Sequence, residues 1–336
     1  MTNAMTQADG LVASGHLLDA IEALRFANRE SPDAAIERRL AEVRYAAFDQ
    51  LEPCSSFEQW PVMVADMDAG HPAHIPEVTP TGLDADVVRR SILAHGSILV
   101  RGLIDPDRVA AFVAGIEKAL AARAERRPGG SRKEHPWFAS LPLPAHQAES
   151  LGRHWVAGSG GVLAADSPRL LFDMLETYED VGLRRVVNDY LGERPVLSAN
   201  KCTMRRAPLT ASTAWHQDGA FLGSGIRALN IWVALSDCGV DAPGLDLLPR
   251  RLDHVVETGT EDAVFDWAVG PAVVERLAVA APVACPQFQM GDAMLFDDLC
   301  LHRTAINPTM TRPRYAIESW FFAPSSYPAG QVPLVW

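Results

Sequence analysis

Apolar side chains recur at helical spacing near the start of the chain and at strand spacing mainly beyond residue 192, and this change of period organises the rest. Leu17, Ile21, Leu24 and Asn28 fall on one helical stripe; Ile36, Leu40, Val43 and Ala47 fall on a second. Between them, Ser31-Pro32-Asp33 offers an N-cap, a proline for the first helical position and an acid for the helix dipole. A helical hairpin is therefore predicted over about residues 6–50. Two short amphipathic helices do not bury their apolar faces alone, so the hairpin is expected to dock on the main body or to make a homodimer contact with a second copy.

Pro53, Pro61, Pro72, Pro76 and Pro80 make residues 52–82 an extended connecting arm. Beyond it, Thr81 to Asp84 resembles a capping box, Gly96 ends the helix it opens, and Ser97-Ile98-Leu99-Val100 reads as the first strand of the main domain. Asp105-Pro106 and Ser167-Pro168 open further helices. Arg127 to Gly161, rich in Gly, Pro and Ser, is longer than an ordinary connection and is expected to be a lid. Within it, Trp137 and Phe138 are candidate substrate contacts, with anchoring of the loop as the other reading. Helices before residue 192 and strands after it indicate a mainly β or α+β fold, not alternating βα units. The expected organisation is a hairpin over 1–51, an arm over 52–82 and one catalytic domain over 83–336.

Composition narrows the function classes. The chain has 336 residues, 48% of them hydrophobic, enough for a sizeable core. Its 30 basic and 42 acidic residues give a net charge of −12, which offers no footprint for nucleic acid or an anionic membrane. No apolar stretch has the length of a membrane span, and a cytoplasmic protein is expected. Five scattered cysteines, Cys54, Cys202, Cys238, Cys285 and Cys300, show no paired spacing and read as reduced, mostly buried thiols.

The candidate chemistry lies in Trp215-His216-Gln217-Asp218-Gly219 and, much later, His302. If the first segment is extended, His216 and Asp218 point to one face and Gln217 to the other. His302 follows Gly291-Asp292-Ala293-Met294-Leu295-Phe296, a turn feeding an apolar strand. Two imidazoles and one carboxylate leave half of an octahedral Fe(II) open, unlike a closed structural zinc site. The competing reading is a core histidine, a turn-capping aspartate and a surface histidine. Twelve positions after His302, Arg314 heads the strand-like run Arg314-Tyr315-Ala316-Ile317-Glu318-Ser319-Trp320-Phe321-Phe322, where a guanidinium is able to clamp a carboxylate with two parallel hydrogen bonds.

Four ordered segments carry a family resemblance: Trp215 to Gly219, Asn230-Ile231-Trp232-Val233-Ala234-Leu235-Ser236-Asp237, Gly291 through His302, and Arg312-Pro313-Arg314. Over roughly residues 95–325 the chain resembles the phytanoyl-CoA dioxygenase family of Fe(II)/2-oxoglutarate-dependent oxygenases. That resemblance implies a double-stranded β-helix, a jelly-roll of two antiparallel sheets flanked by helices. It implies His216, Asp218 and His302 as iron ligands and Arg314 as the holder of the distal carboxylate of 2-oxoglutarate, with Arg312 as its rival. Trp232 would line the co-substrate pocket and Asn230 would share its face; both also suit a buried strand. Phe221, close behind Asp218, is a further candidate substrate contact.

The implied reaction uses O₂ and 2-oxoglutarate, releases succinate and CO₂, and most simply hydroxylates an unactivated carbon of a small metabolite or natural-product intermediate. Desaturation, epimerisation and cyclisation share that chemistry. Asp218 stands where related halogenases carry a small residue, which favours oxygenation. In place of the family's Pro-Gly-Ser-His turn the chain has Pro249-Arg250-Arg251-Leu252-Asp253-His254, so substrate contacts there do not carry over. Arg250 and Arg251, with Arg205 and Arg206, are local cations for an anionic substrate, or simply solvated. The alternatives are a metal-dependent jelly-roll isomerase or lyase without co-substrate, and a non-catalytic small-molecule-binding protein.

Overall fold

Alternation along β5 (Ala228–Ala234) and β9 (Arg314–Phe322) explains how the central sheet separates two apolar cores. Leu229, Ile231 and Val233 of β5, with Ile317 and Phe321 of β9, face a layer of helices. Their neighbours Ala228, Trp232, Ala234, Ala316, Trp320 and Phe322 face the inside of the barrel. Period-two side-chain placement thus lets one strand serve both cores. The computed structural model describes residues 2–52, 57–63, 74–125, 135–210 and 214–336.

The other strands are β1 (Glu77–Val78), β2 (Ser97–Val100), β3 (Gly161–Leu163), β4 (Val196–Ala207), β6 (Gly244–Leu247), β7 (Ala293–Phe296), β8 (His302–Ala305) and β10 (Pro333–Val335). The large sheet runs β1-β2-β7-β5-β9-β4-β10, with β3 beside β4, and is antiparallel except where β1 meets β2. The facing sheet is β6 with β8, extended by bridges pairing Trp215 with Val269, His216 with His302 and Leu247 with Ala284. This is the jelly-roll with flanking helices that the family resemblance implies.

The helices are α1 (Thr2–Ala13), α2 (Leu17–Glu30), α3 (Ala34–Ala46), α4 (Ala85–His95), α5 (Pro106–Glu125), α6 (Ala145–Ser150), α7 (Arg153–Gly158), α8 (Pro168–Asp180), α9 (Leu183–Leu191), α10 (Gly219–Leu222) and α11 (Pro271–Ala278). Three helices, not two, open the fold. The added α1 places Met5, Ala8, Leu11 and Val12, spaced three and four apart, against the apolar faces of α2 and α3. The cap of α3 is Asp33 rather than Ser31, because its carboxylate accepts from the Ala35 and Ile36 amides and Pro32 lies outside the helix. The unit docks on the body: Arg25 reaches Glu176 of α8 at 2.6 Å, and Leu40, Val43 and Ala47 share a core with Val196 and Val335.

Asp84 caps α4 and Gly96 closes it with φ 77°. Much of the proline-rich arm, including Pro53 and Pro72, and Cys54 lie outside the described residues; its final stretch supplies the edge strand β1. Gly291 needs its positive φ of 90°, since a Cβ there would sit 2.2 Å from the Ile104 carbonyl oxygen. Next to it, the buried Asp292 carboxylate accepts from the Gly102 and Gln289 amides and from Arg101, which fixes the entry into β7. The four described cysteines are free thiols, three of them buried.

Candidate metal centre

His216 and His302 exchange both backbone hydrogen bonds, each amide reaching the other's carbonyl at 3.0 Å. Directly opposed residues of an antiparallel pair put their side chains on one face, and the two imidazole centroids lie 4.4 Å apart. Asp218 joins them, with Oδ2 3.7 Å from His302 Nε2. One ligand atom from each of the three residues lies within 4.8 Å of the other two. The strand expected across Trp215 to Gly219 ends early, at His216. Asp218 has helical dihedrals (φ −64°, ψ −25°) and leads into α10. Gln217 still points away, as alternation predicts.

The donor set fits a divalent cation. His216 Nδ1 donates to the Ala214 carbonyl and His302 Nδ1 to the Cys300 carbonyl, both at 3.0 Å. A carbonyl only accepts, so each ring must carry its proton on Nδ1, which leaves Nε2 with a lone pair facing the cluster. Asp218 Oδ1 accepts from Lys201 Nζ at 3.0 Å, whereas its buried Oδ2 has no hydrogen-bond partner among the described residues. Orphaned buried acceptors are uncommon, and this one faces the space between two imidazoles. Two nitrogens and one oxygen with open positions are the arrangement that suits non-haem Fe(II).

Electrostatics keep the set ready for a metal. Burial, reinforced by the neighbouring His302, lowers His216 to about 4, so its ring is neutral at pH 7. Burial alone would raise Asp218, but the charges around it, the Lys201 ammonium foremost, outweigh it and hold the carboxyl below its usual range.

Lys201 was not legible as a site residue, and neither was the role of Gln217. Lys201 enters from β4, whose alternation sends Cys202 and Met204 to the helix side, and its ammonium also lies 4.9 Å from the Phe221 ring. Gln217 is fully buried. Its Nε2 donates to the Leu299 and His254 carbonyls at 2.7 and 3.1 Å, and its Oε1 accepts from the Val256 amide at 2.7 Å. One side chain therefore fastens the His216–Asp218 turn to the segments on either side of it.

Along the inward face of β9, Arg314 is buried and, among the described residues, lacks a carboxylate partner. Its Nη1 donates to the Gly244 and Pro243 carbonyls at 2.9 and 3.3 Å, its Nε has no partner, and its guanidinium carbon lies 5.1 Å from the Trp232 ring. Burial pulls Arg314 down to about 10. Arg312, by contrast, is exposed and forks onto Asp241 at 2.8 and 2.9 Å. Asn230, two residues from Trp232 on the same face, is buried with Oδ1 unpartnered.

The expected substrate contacts separate. Phe221 flanks the centre, 6.4 Å from the His216 ring. Trp137 and Phe138 pack instead on the helix-side core, Trp137 close to Gly115 and 4.8 Å from the Lys118 ammonium, so they anchor their segment. Residues 126–134 of the expected lid lie outside the described residues. Arg251 is committed to the buried Asp297 at 2.6 Å, and Arg206 to Glu117 on the helix side. Absent from the expected set were Phe265 and Trp267, whose rings stack at 5.0 Å, with Trp267 edge-on to His216 at 5.9 Å.

No curated protein matches the chain significantly. Several solved structures share its fold at a distance. EctD from S. alaskensis with bound Fe is 16% identical, with 82% of this chain and 83% of that one covered and a TM-score of 0.46. The non-haem alpha-ketoglutarate-dependent carbocyclase SnoK from nogalamycin biosynthesis is 17% identical, covering 74% and 86%, TM-score 0.46. AviO1 from Streptomyces viridochromogenes Tue57 is 18% identical, covering 74% and 99%, TM-score 0.44. These likenesses are too remote to carry a function, whereas the profile of one family matches residues 93–316, a span that holds both histidines, Asp218 and Arg314. The chain belongs to the phytanoyl-CoA dioxygenase family.

Proposed function

We propose that this family member is a non-haem Fe(II)- and 2-oxoglutarate-dependent oxygenase that hydroxylates an unactivated carbon of a small molecule. One observation carries the reading. An orphaned carboxylate oxygen and two Nε2 atoms converge, and the inward face of β9 in the same barrel holds a buried guanidinium with no carboxylate of its own. His216, Asp218 and His302 would hold the iron, and Arg314 the distal carboxylate of 2-oxoglutarate against Trp232. When bound, iron and co-substrate supply O₂ activation with release of succinate and CO₂, and the power to take hydrogen from an unactivated carbon.

The chain's own residues do the positioning. Lys201 occupies Oδ1 of Asp218 and leaves Oδ2 for the metal, while the two backbone carbonyls fix the imidazole tautomers. Gln217 keeps the turn from relaxing, which supports ligand geometry within the tolerance such sites require. The test is anaerobic reconstitution with Fe(II) and 2-oxoglutarate followed by O₂, reading succinate. Asp218→Ala should reduce succinate to background with an unchanged circular dichroism spectrum. Undiminished succinate from that variant would remove Asp218 from the ligand set.

A further inference from the structure

Three side chains around the centre are large, apolar and open to water: Phe221 (42% exposed), Val255 (37%) and Phe265 (43%). Contiguous exposed apolar surface marks a contact site. The rings form a connected wall. Phe265 stacks on Trp267 with planes 7° apart, Trp267 lies 5.5 Å from Phe221, and both Trp267 and Phe221 touch the His216 ring environment at 5.9 and 6.4 Å. Val255 joins the wall at Gly219, where an added Cβ would come within 3.1 Å of it.

Cations of β4 extend this wall toward a further aromatic ring. The Lys201 ammonium is 4.9 Å from the Phe221 ring, and four residues on, the Arg205 guanidinium lies 5.4 Å from Trp155, which is 57% exposed. Four strand residues span roughly 13 Å, longer than a single ring. The cations on this face are already matched, Lys201 by Asp218 at 3.0 Å and Arg205 by Glu318 at 3.5 Å. The face therefore keeps polar edges without surplus charge.

We infer that the mouth of this centre, formed by Phe221, Phe265 and Trp267 with Trp155 of α7 beside Arg205 of β4, binds a flat, fused-ring substrate of little net charge. The inference rests on the oxygenase reading and gives its substrate class. Ring faces stack on a flat partner with defined geometry, whereas a flexible chain gains only contact area from the same wall. Phe265 is the residue that determines this preference, because it forms the outermost stacked face and holds no metal ligand.

The experiment is anaerobic calorimetry on the protein loaded with Fe(II) and 2-oxoglutarate, using 2-hydroxyfluorene as the flat probe and decan-1-ol as the flexible one. The flat probe should bind at least tenfold more tightly. Phe265→Leu, which keeps the apolar surface and removes the ring, should weaken the flat probe at least fivefold and leave decan-1-ol within twofold. Equal affinities for the two probes, no binding of either, or equal losses in the variant would overturn the inference. Binding of 2-oxoglutarate in the same instrument separates the two failures. If it binds and the probe preference is missing, only the substrate class falls; if it does not bind, the oxygenase reading falls, and a surviving probe preference still identifies the pocket.

Discussion

Replacing Arg314 with leucine should weaken 2-oxoglutarate binding while leaving the co-substrate-free protein as stable as before, or more so. The guanidinium is buried and, among the described residues, has no acidic partner and only two backbone carbonyls accepting from it. Burial lowers it from 12.5 to about 10, a disfavour toward the charged form of about 3 kcal/mol. A carboxylate arriving beside it would recover much of that and add charge-assisted hydrogen bonds worth roughly 1.5–3 kcal/mol. Arg314→Leu should therefore raise the dissociation constant for 2-oxoglutarate at least tenfold, about 1.4 kcal/mol or more. Since the variant also removes a buried unmatched charge, its thermal midpoint without 2-oxoglutarate should not fall. Arg314→Lys should lose most of the affinity as well, because an ammonium cannot fork onto a carboxylate. The assay pairs anaerobic calorimetry of 2-oxoglutarate with melting curves taken without it. An unaltered affinity, or a drop of several degrees in midpoint with affinity intact, would make Arg314 a structural residue and refute the reasoning.

Two further outcomes follow from the ligand cluster. Lys201→Met removes the cation that helps hold Asp218 below its usual range, so the acid limb of metal binding, followed with Co(II) from pH 4 to 7, should move to higher pH; an unmoved limb would take Lys201 out of that role. In the metal-free protein, His216 is held at about 4 against 6.5 unfolded. The unfolded chain then binds the extra proton first, so this residue's effect is to lower stability as pH falls from 6.5 toward 4, by about 3 kcal/mol in full. Asp218 acts in the same direction but in a more acid window: it contributes stability above its unfolded value and loses it as pH falls through its lower folded one. Urea unfolding of the wild type and His216→Leu at pH 7 and pH 4.5 isolates the imidazole; an equal acid sensitivity in both proteins would contradict the assignment.

What could be read from the chain alone was whatever depends on local period and turn chemistry. Gly96, Asp105-Pro106 and Ser167-Pro168 mark helix ends through backbone constraints that act within a few residues, and they stand where expected. The inward alternation of Asn230, Trp232 and Arg314 follows from a period of two over long strands. Lys201 escaped because its relation to Asp218 depends on how β4 crosses the barrel, a non-local pairing that spacing does not encode. Phe265 and Trp267 escaped because the segment from Leu252 to Val269 has no regular period. Their one local signal was a pair of rings two residues apart between Gly259 and Gly270. The missing α1 had a different cause: four apolar positions among small and polar neighbours look like a solvated terminus until two other helices offer them a groove.

The failure of the strand at Gln217 is what closes the ligand cluster. In a continuous strand, residues two apart share a face but lie roughly 6.5–7 Å from each other, so Asp218 would project one step farther along the sheet than His216. His302 is paired squarely with His216, and the carboxylate would overshoot both. Turning the backbone into α10 at Asp218 brings Oδ2 back to 3.7 Å from His302 Nε2. That turn needs its own support. The Gly219 amide donates to the Asp298 carbonyl at 2.9 Å, where any Cβ would crowd Asp298 and Val255, and Gln217 spends its whole amide on three backbone groups. The short run from His216 to Gly219 thus works as a unit: His216 and Asp218 supply donors, Gln217 anchors the bend, and Gly219 lets it pass. Alternation alone predicts the facing of the first three, but the distance that makes them a metal site comes from leaving the strand.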